Sequence, residues 1–226
     1  MAYSSMKIKP GRKKNNFLVY FDFDNTITTI DVLDDIIERF SVDKRWMVFE
    51  DKWLRGKIGS KECLIGQLKS VRITKTDLCR YLSSVKLDHY FKRLYFFLKK
   101  KNIRPVVLSD NFSPIIKEIL RARELKGIKL HANEIRFSGK RLLPSFPHAN
   151  NECLTCGHCK KNNLLKPNSS DKIIYIGDGM SDVCPAEHAD IVFAKGRLLK
   201  HFRKSNRKCI PFKDLKEVFR HIKGLL

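Results

Sequence analysis

Two carboxylates, Asp22 and Asp24 in the stretch FDFDNT, stand two residues apart at the end of an apolar run. On an extended chain that spacing sends both side chains to the same side. Two like charges held so close raise each other's pKa unless a cation compensates them, so the pair calls for a shared proton or a bound metal ion. Two further stretches have the same form. Arg104-Pro105-Val106-Val107-Leu108 runs into Ser109-Asp110, and Lys172-Ile173-Ile174-Tyr175-Ile176 runs into Gly177-Asp178-Gly179. Carboxylates from the first and third stretches could hold one Mg²⁺ through hard oxygen ligands, while the Ser109 hydroxyl and nearby backbone N–H groups face an anion beside it. The competing reading is local: Asp-Asn-Thr at 24–26 would also cap a helix.

The elements that must position these groups are strands buried on both faces. Phe17-Leu18-Val19-Tyr20-Phe21 is continuously apolar and follows the polar Lys13-Lys14-Asn15-Asn16, as in a parallel sheet covered on both sides. Asp190-Ile191-Val192-Phe193-Ala194 has the same character. Carboxyl ends of parallel strands share one edge, where open α/β sheets bind their ligands. From Ile30 to about Leu87 the pattern is helical, with Ile30, Leu33, Ile36, Ile37 and Phe40 on one face and Thr74 with Asp77 marking a helix start; no strand is expected there. Asp88 opens a helix carrying Phe91, Leu94, Tyr95 and Leu98 inward, and another helix begins near Pro114. Residues 128–146 read as short strands around a Ser138-Gly139 turn.

The chain of 226 residues can bury a full core, with 42% hydrophobic and 10% aromatic residues. Lys and Arg number 46 against 24 acids, a formal charge of +22, which suits a phosphorylated small molecule, a nucleic acid or an anionic membrane surface. Seven cysteines, an odd count, argue against a secreted disulfide framework and for a reducing, cytoplasmic setting. No run approaches a membrane span, and residues 1–16 form a basic tail without the apolar centre of a secretory signal.

Four stretches in order resemble the motifs of the haloacid dehalogenase superfamily of phosphatases: DFDNT at 22–26, LSDNF at 108–112, Lys160 in CGHCK, and GDGMSD at 177–182. LHANEIRF, FPHAN and YIGDGMSDVCPAEHADIVFAKGRLL resemble the subgroup that includes a methionine-salvage phosphatase. Asp110-Asn111 departs from the glycines of that subgroup. The resemblance implies a Rossmann-like three-layer α/β/α core at 17–29 and 88–226, with a helical type 1 cap at 30–87. It further implies Asp22 as nucleophile, Asp24 as general acid and base, and Ser109, Asp110 and Lys160 as phosphate-binding residues. Mg²⁺ would be held by Asp22, the backbone carbonyl of Asp24 and Asp178, supported by Asp182. The expected activity is Mg²⁺-dependent hydrolysis of a small phosphorylated metabolite. The rival is a nucleic-acid-associated protein, an end-processing phosphatase or an inactive binder, using the basic surface.

Other features have ordinary explanations. Cys153, Cys156 and Cys159, with His148 or His158, could bind Zn²⁺, but the preferred reading is a reduced loop that aims Lys160. Trp53, Arg55 and Lys57 could close over a substrate, although Trp53 at helical spacing from Phe49 reads as core. Arg197, Lys200, Arg203, Lys204, Arg207 and Lys208 read as a solvated face.

Overall fold

The computed structural model describes residues 17–150, 156–164 and 171–226. The basic tail and Cys153 lie outside these residues. Seven strands form one sheet: β1 (Phe17–Phe21), β2 (Val106–Phe112), β3 (Lys129–Ser138), β4 (Arg141–Ser145), β5 (Lys172–Gly177), β6 (Ile191–Ala194) and β7 (Ile210–Pro211). Their order is β4-β3-β2-β1-β5-β6-β7, parallel throughout except for the β3/β4 hairpin. Gly139, at φ +59°, makes that hairpin's turn. The fold is the Rossmann-like α/β architecture expected from the sequence.

The apolar run of β1 forms a central strand because neither of its faces reaches water. Val19 and Phe21 point into one apolar cluster with Val107, Ile174 and Ile176, while Tyr20 points into the other with Leu108, Ile173 and Tyr175. Helices α5 (Phe91–Lys100), α6 (Ser113–Arg121) and α9 (Leu215–Leu225) cover the first face; α7 (Val183–Ala186) and α8 (Gly196–Lys204) cover the second. From β1 the chain passes to β2 and β3 on one side, then crosses back to β5 on the other. The reversal at β1 opens a crevice at its carboxyl end.

Four helices fill the stretch between β1 and α5: α1 (Val32–Phe40), α2 (Trp46–Leu54), α3 (Ser60–Leu68) and α4 (Lys75–Ser84). No strand occurs at 30–87, as the periodicity predicts; isolated bridges join Thr28 to Leu87 and Ser41 to Val71. Asp31 caps α1 by accepting the Asp34 N–H at 3.0 Å, and Thr74 caps α4 by accepting that of Asp77 at 3.1 Å. Leu33, Ile36, Ile37, Leu64 and Leu68 join the main core cluster.

The elements differ from expectation at several edges. Ile30 lies outside α1 and is exposed, since the capping Asp31 starts the helix after it. The helix expected from Asp88 begins at Phe91, because the Asp88 carboxylate accepts the N–H groups of Tyr90 and Leu215 and so holds a turn. β2 runs through Ser109-Asp110-Asn111 to Phe112, its pairing with β3 slipping between Ser109 and Phe112. Residues 24–26 start no helix, yet Asp24 Oδ1 accepts the N–H of Val32, the first residue of α1, at 2.9 Å.

Candidate active site

The carboxyl ends of β1, β2 and β5 meet at a cavity of about 320 Å³ lined by Asp22, Asp24, Ser109, Asp110, Asp178 and Asp182, and Lys160 bonds Asp22 and Asp182 of that wall. Every residue singled out from the motifs is therefore brought to one place, because β1 sits between β2 and β5.

Lys160 is the pivot. It opens a short 3₁₀ turn, Lys160–Asn163, is 2% exposed, and donates to Asp22 Oδ1 and Asp182 Oδ1, both at 2.7 Å, and to Ser181 Oγ at 3.1 Å. Burial alone would lower its pKa, but Asp182 and Asp22 hold it well above the usual lysine range. Asp182 accepts further bonds from Tyr175 Oη (2.7 Å) and from the N–H groups of Asp178 (3.0 Å) and Gly179 (2.9 Å). These bonds hold the turn that presents Asp178. Gly177 permits this, since a Cβ there would sit 2.6 Å from Asp182 Oδ2. Gly196, at φ +53°, likewise lets α8 approach the Asp178 carbonyl, which accepts the Leu198 N–H at 2.8 Å.

The loop before Lys160 is tied down in three directions. Gly157 N–H donates to Ser60 Oγ on α3 (2.7 Å), and His158 N–H donates to Asp110 Oδ1 (3.1 Å). His158 Nδ1 bonds the Ser109 carbonyl at 2.9 Å, and Nε2 faces Asn163 Nδ2 at 2.9 Å, so the ring is neutral with its proton on Nδ1. Burial pushes the His158 pKa down to about 3. The zinc reading turns on Cys153, outside the described residues. Among the described residues the one group of His, Cys, Asp or Glu ligand atoms within 4.8 Å of one another is Asp22, Asp178 and Asp182. That all-oxygen set suits a hard divalent cation such as Mg²⁺.

The electrostatics follow from crowding. Burial, then the charge of Asp182, pushes the Asp22 pKa well up, with Lys160 opposing. Burial, then Asp31, raises Asp24, while the Val32 N–H and the Asn111 amide favour its charged form. Burial and Asp182 bring Asp178 to about 6. Burial also raises Asp110.

Sequence patterns left several lining groups unremarked. Asp34 and Glu50, on α1 and α2, face the cavity with Asp31; burial and these neighbours push Asp34 to about 7. They read in the sequence as ordinary helix acids. Asn111 Nδ2 bonds both Asp24 oxygens, though the sequence marked Asn111 only as a departure from the subgroup's glycines, and the Tyr175 hydroxyl is hidden in an apolar strand pattern. Trp53 is half-buried and lines the cavity instead of joining the core, because α2 buries none of its residues. Arg55 and Lys57 are exposed and do not line it. Arg197 is exposed but lines the rim, whereas Lys200, Arg203, Lys204, Arg207 and Lys208 form the expected solvated face.

Residues 17–209 match the family model described as "Putative Phosphatase". The chain belongs to this family. It is a haloacid dehalogenase-type phosphatase, an enzyme of phosphate monoester hydrolysis. Among its relatives is the 2-hydroxy-3-keto-5-methylthiopentenyl-1-phosphate phosphatase of Bacillus cereus, 28% identical over 218 residues, covering 92% of this chain and 96% of the relative. Pdp3-interacting factor 1 of Schizosaccharomyces pombe is 25% identical over 226 residues, covering 94% and 97%. A phosphoserine phosphatase solved as a phospho-aspartyl intermediate analogue shares the fold, with a TM-score of 0.69 at 18% identity over 92% of this chain and 99% of that one.

Proposed function

We propose that this phosphatase hydrolyses a small phosphorylated metabolite through an aspartyl-phosphate on Asp22, with Mg²⁺ as its metal ion. The observation that supports this best is the Lys160 ammonium 2.7 Å from Asp22, which leaves the second Asp22 oxygen to attack phosphorus. As that O–P bond forms, the bond from phosphorus to the leaving alcohol breaks and Asp24 gives its proton to the departing oxygen. Asp24, now a carboxylate, takes a proton from water, whose oxygen attacks phosphorus and releases phosphate from Asp22. Ser109 Oγ and Lys160 would bind the phosphoryl oxygens, with Asp110 anchoring the Lys160 loop through the His158 N–H. Asp22, Asp178 and the Asp24 carbonyl would hold Mg²⁺, which offsets the repulsion between a carboxylate nucleophile and a dianionic phosphate.

The insert at 30–87 would act as a cap over a core of 17–29 and 88–226, since Asp31, Asp34, Glu50 and Trp53 complete the cavity wall. A cavity of about 320 Å³ suits a small substrate. Cys63, Cys79, Cys159 and Cys209 are free thiols, which supports a reducing, cytoplasmic setting. No described helix is long and apolar enough to cross a membrane. The nucleic-acid reading is disfavoured by the lining itself, eight carboxylates against the single exposed Arg197, which would repel a polyanion. Phosphate release across a panel of phosphometabolites, with Mg²⁺ and with EDTA, tests the proposal. Release that survives EDTA would exclude the metal, and no release from any small ester would exclude the activity.

A further inference from the structure

Asn111 is 1% exposed and lies in the slipped part of β2. Burying an unpaired amide costs about 1–3 kcal/mol, so each end of this one needs a partner. Its Oδ1 accepts the Phe112 N–H at 2.6 Å. Because an N–H occupies that end, the amide has one orientation, and Nδ2 is the end that faces β1. There it donates to Asp24 Oδ2 at 3.0 Å and to Oδ1 at 3.1 Å. The Asn111 backbone N–H in turn donates to Ser109 Oγ at 3.0 Å. Asp24 Oδ1 also receives the Val32 N–H at 2.9 Å, so its carboxyl group is held from β2 on one side and from the start of α1 on the other.

We propose that Asn111 is the positioning residue for the acid–base step, clamping the Asp24 carboxyl in the single orientation from which it serves both the leaving alcohol and the attacking water. This rests on the phosphatase mechanism above. A carboxyl group on two rotatable bonds otherwise samples several orientations, and each half of the reaction needs the same one. Asn111 contacts Asp24 through its side-chain amide, and its backbone N–H donates to the Ser109 hydroxyl. A glycine in this place supplies no side-chain donor, so a chain lacking the amide must hold its general acid by another route.

The test separates proton transfer from nucleophilic attack. Two probes are used, glycerol 2-phosphate, whose alkoxide must be protonated as it leaves, and 2,4-dinitrophenyl phosphate, whose phenolate needs no proton. With Asn111→Ala, kcat for glycerol 2-phosphate should fall about 10- to 100-fold while KM stays within about threefold. The pre-steady-state burst of dinitrophenolate should stay within about threefold of wild type, and phosphoenzyme should accumulate because water attack is slowed. Asn111→Asp keeps the acceptor for the Phe112 N–H but loses the donor, and should show the same pattern more strongly; Asn111→Ser should recover part of the loss. Thermal melting of all three confirms that folded protein is compared, and Asn111→Ser alone suffices if the others do not fold. A dinitrophenolate burst slowed as much as glycerol 2-phosphate turnover, a rise in KM with kcat unchanged, or wild-type turnover in Asn111→Ala would overturn the assignment. A wild-type protein inactive on both probes would instead remove the phosphatase mechanism, and the assignment with it.

Discussion

The outside of this protein and its cavity carry opposite charge. The chain as a whole has a formal charge of +22, and α8 presents Lys200, Arg203 and Lys204 to solvent. The cavity at the sheet edge is walled by Asp22, Asp24, Asp31, Asp34, Glu50, Asp110, Asp178 and Asp182. Lys160, held between Asp22 and Asp182, is a buried cation that balances part of that charge. Charges on the exterior are screened over ~8 Å at physiological ionic strength, whereas charges buried in the cavity are screened little. The difference teaches that net charge describes how the molecule meets its surroundings, and says nothing of what its reaction centre prefers.

The largest effect should come from the cavity. Asp22→Asn removes the nucleophile at nearly constant size, so phosphate release should fall by at least about 10³-fold while the melting temperature changes by no more than about 4 °C. Turnover above a few per cent of wild type would take the nucleophile role from Asp22 and leave the acid-lined cavity without a reason.

Removing the balancing cation should be nearly as severe and, unlike the first change, should also cost stability. Lys160→Met leaves Asp22 and Asp182 buried without their ion-pair partner, at about 3–5 kcal/mol. The melting temperature should drop by roughly 10 °C, and added Mg²⁺ should restore part of it by compensating the same carboxylates. A melting temperature equal to wild type would show that Lys160 carries little of the charge balance.

The wall behind the site should give a smaller, pH-dependent effect. His158 is neutral when folded, with a pKa pushed down to about 3 by burial; Lys160, His148 and His131 around it act in the same direction, and the Ser109 carbonyl opposes. The unfolded chain binds the proton near pH 6.5, so the contribution of His158 to stability is complete above that pH and declines as pH falls toward 3. The slope is about 1.4 kcal/mol per pH unit within that window. His158→Gln should be less stable than wild type at pH 8 and should lose less on acidification. Parallel pH–stability curves for the two proteins would show that another group carries the acid sensitivity.

The exterior should matter least. Replacing Lys200, Arg203 and Lys204 together by Glu should change kcat/KM for a small phosphoester by less than about twofold, and raising salt from 50 to 200 mM should lower it only modestly. An oligonucleotide that inhibits competitively, with a fall in affinity of ~10³-fold across that salt range, would reverse the comparison and make the basic exterior the working surface.

Much of the fold was legible because its signals are local. Five apolar residues in a row at Phe17–Phe21 cannot form a half-exposed strand, and Gly139 can adopt the φ of +59° that its hairpin turn requires. The boundaries of α5 and β2 were less legible: Asp88 is diverted to the N–H of Leu215, more than a hundred residues away, and β2 gains its last residues from pairing with β3. The motif carboxylates announced themselves by type and spacing. Trp53 did not, since helical spacing places a side chain on a face without saying whether that face meets the core or a cavity.

The sequence by itself determined that apolar strands would lead into Asp22 and Asp24, into Ser109 and Asp110, and into Asp178, because apolar runs and side-chain alternation are written in consecutive residues. Only the tertiary structure decided that Lys160 would stand 2.7 Å from both Asp22 and Asp182, that Asn111 would grip Asp24, and that Asp34 and Glu50 would wall the cavity. Those pairings join residues up to 138 positions apart. They depend on which strands become neighbours and how the inserted helices lie over them, and the burial that raises the pKa of Asp22, Asp24, Asp34 and Glu50 exists only once the chain has folded.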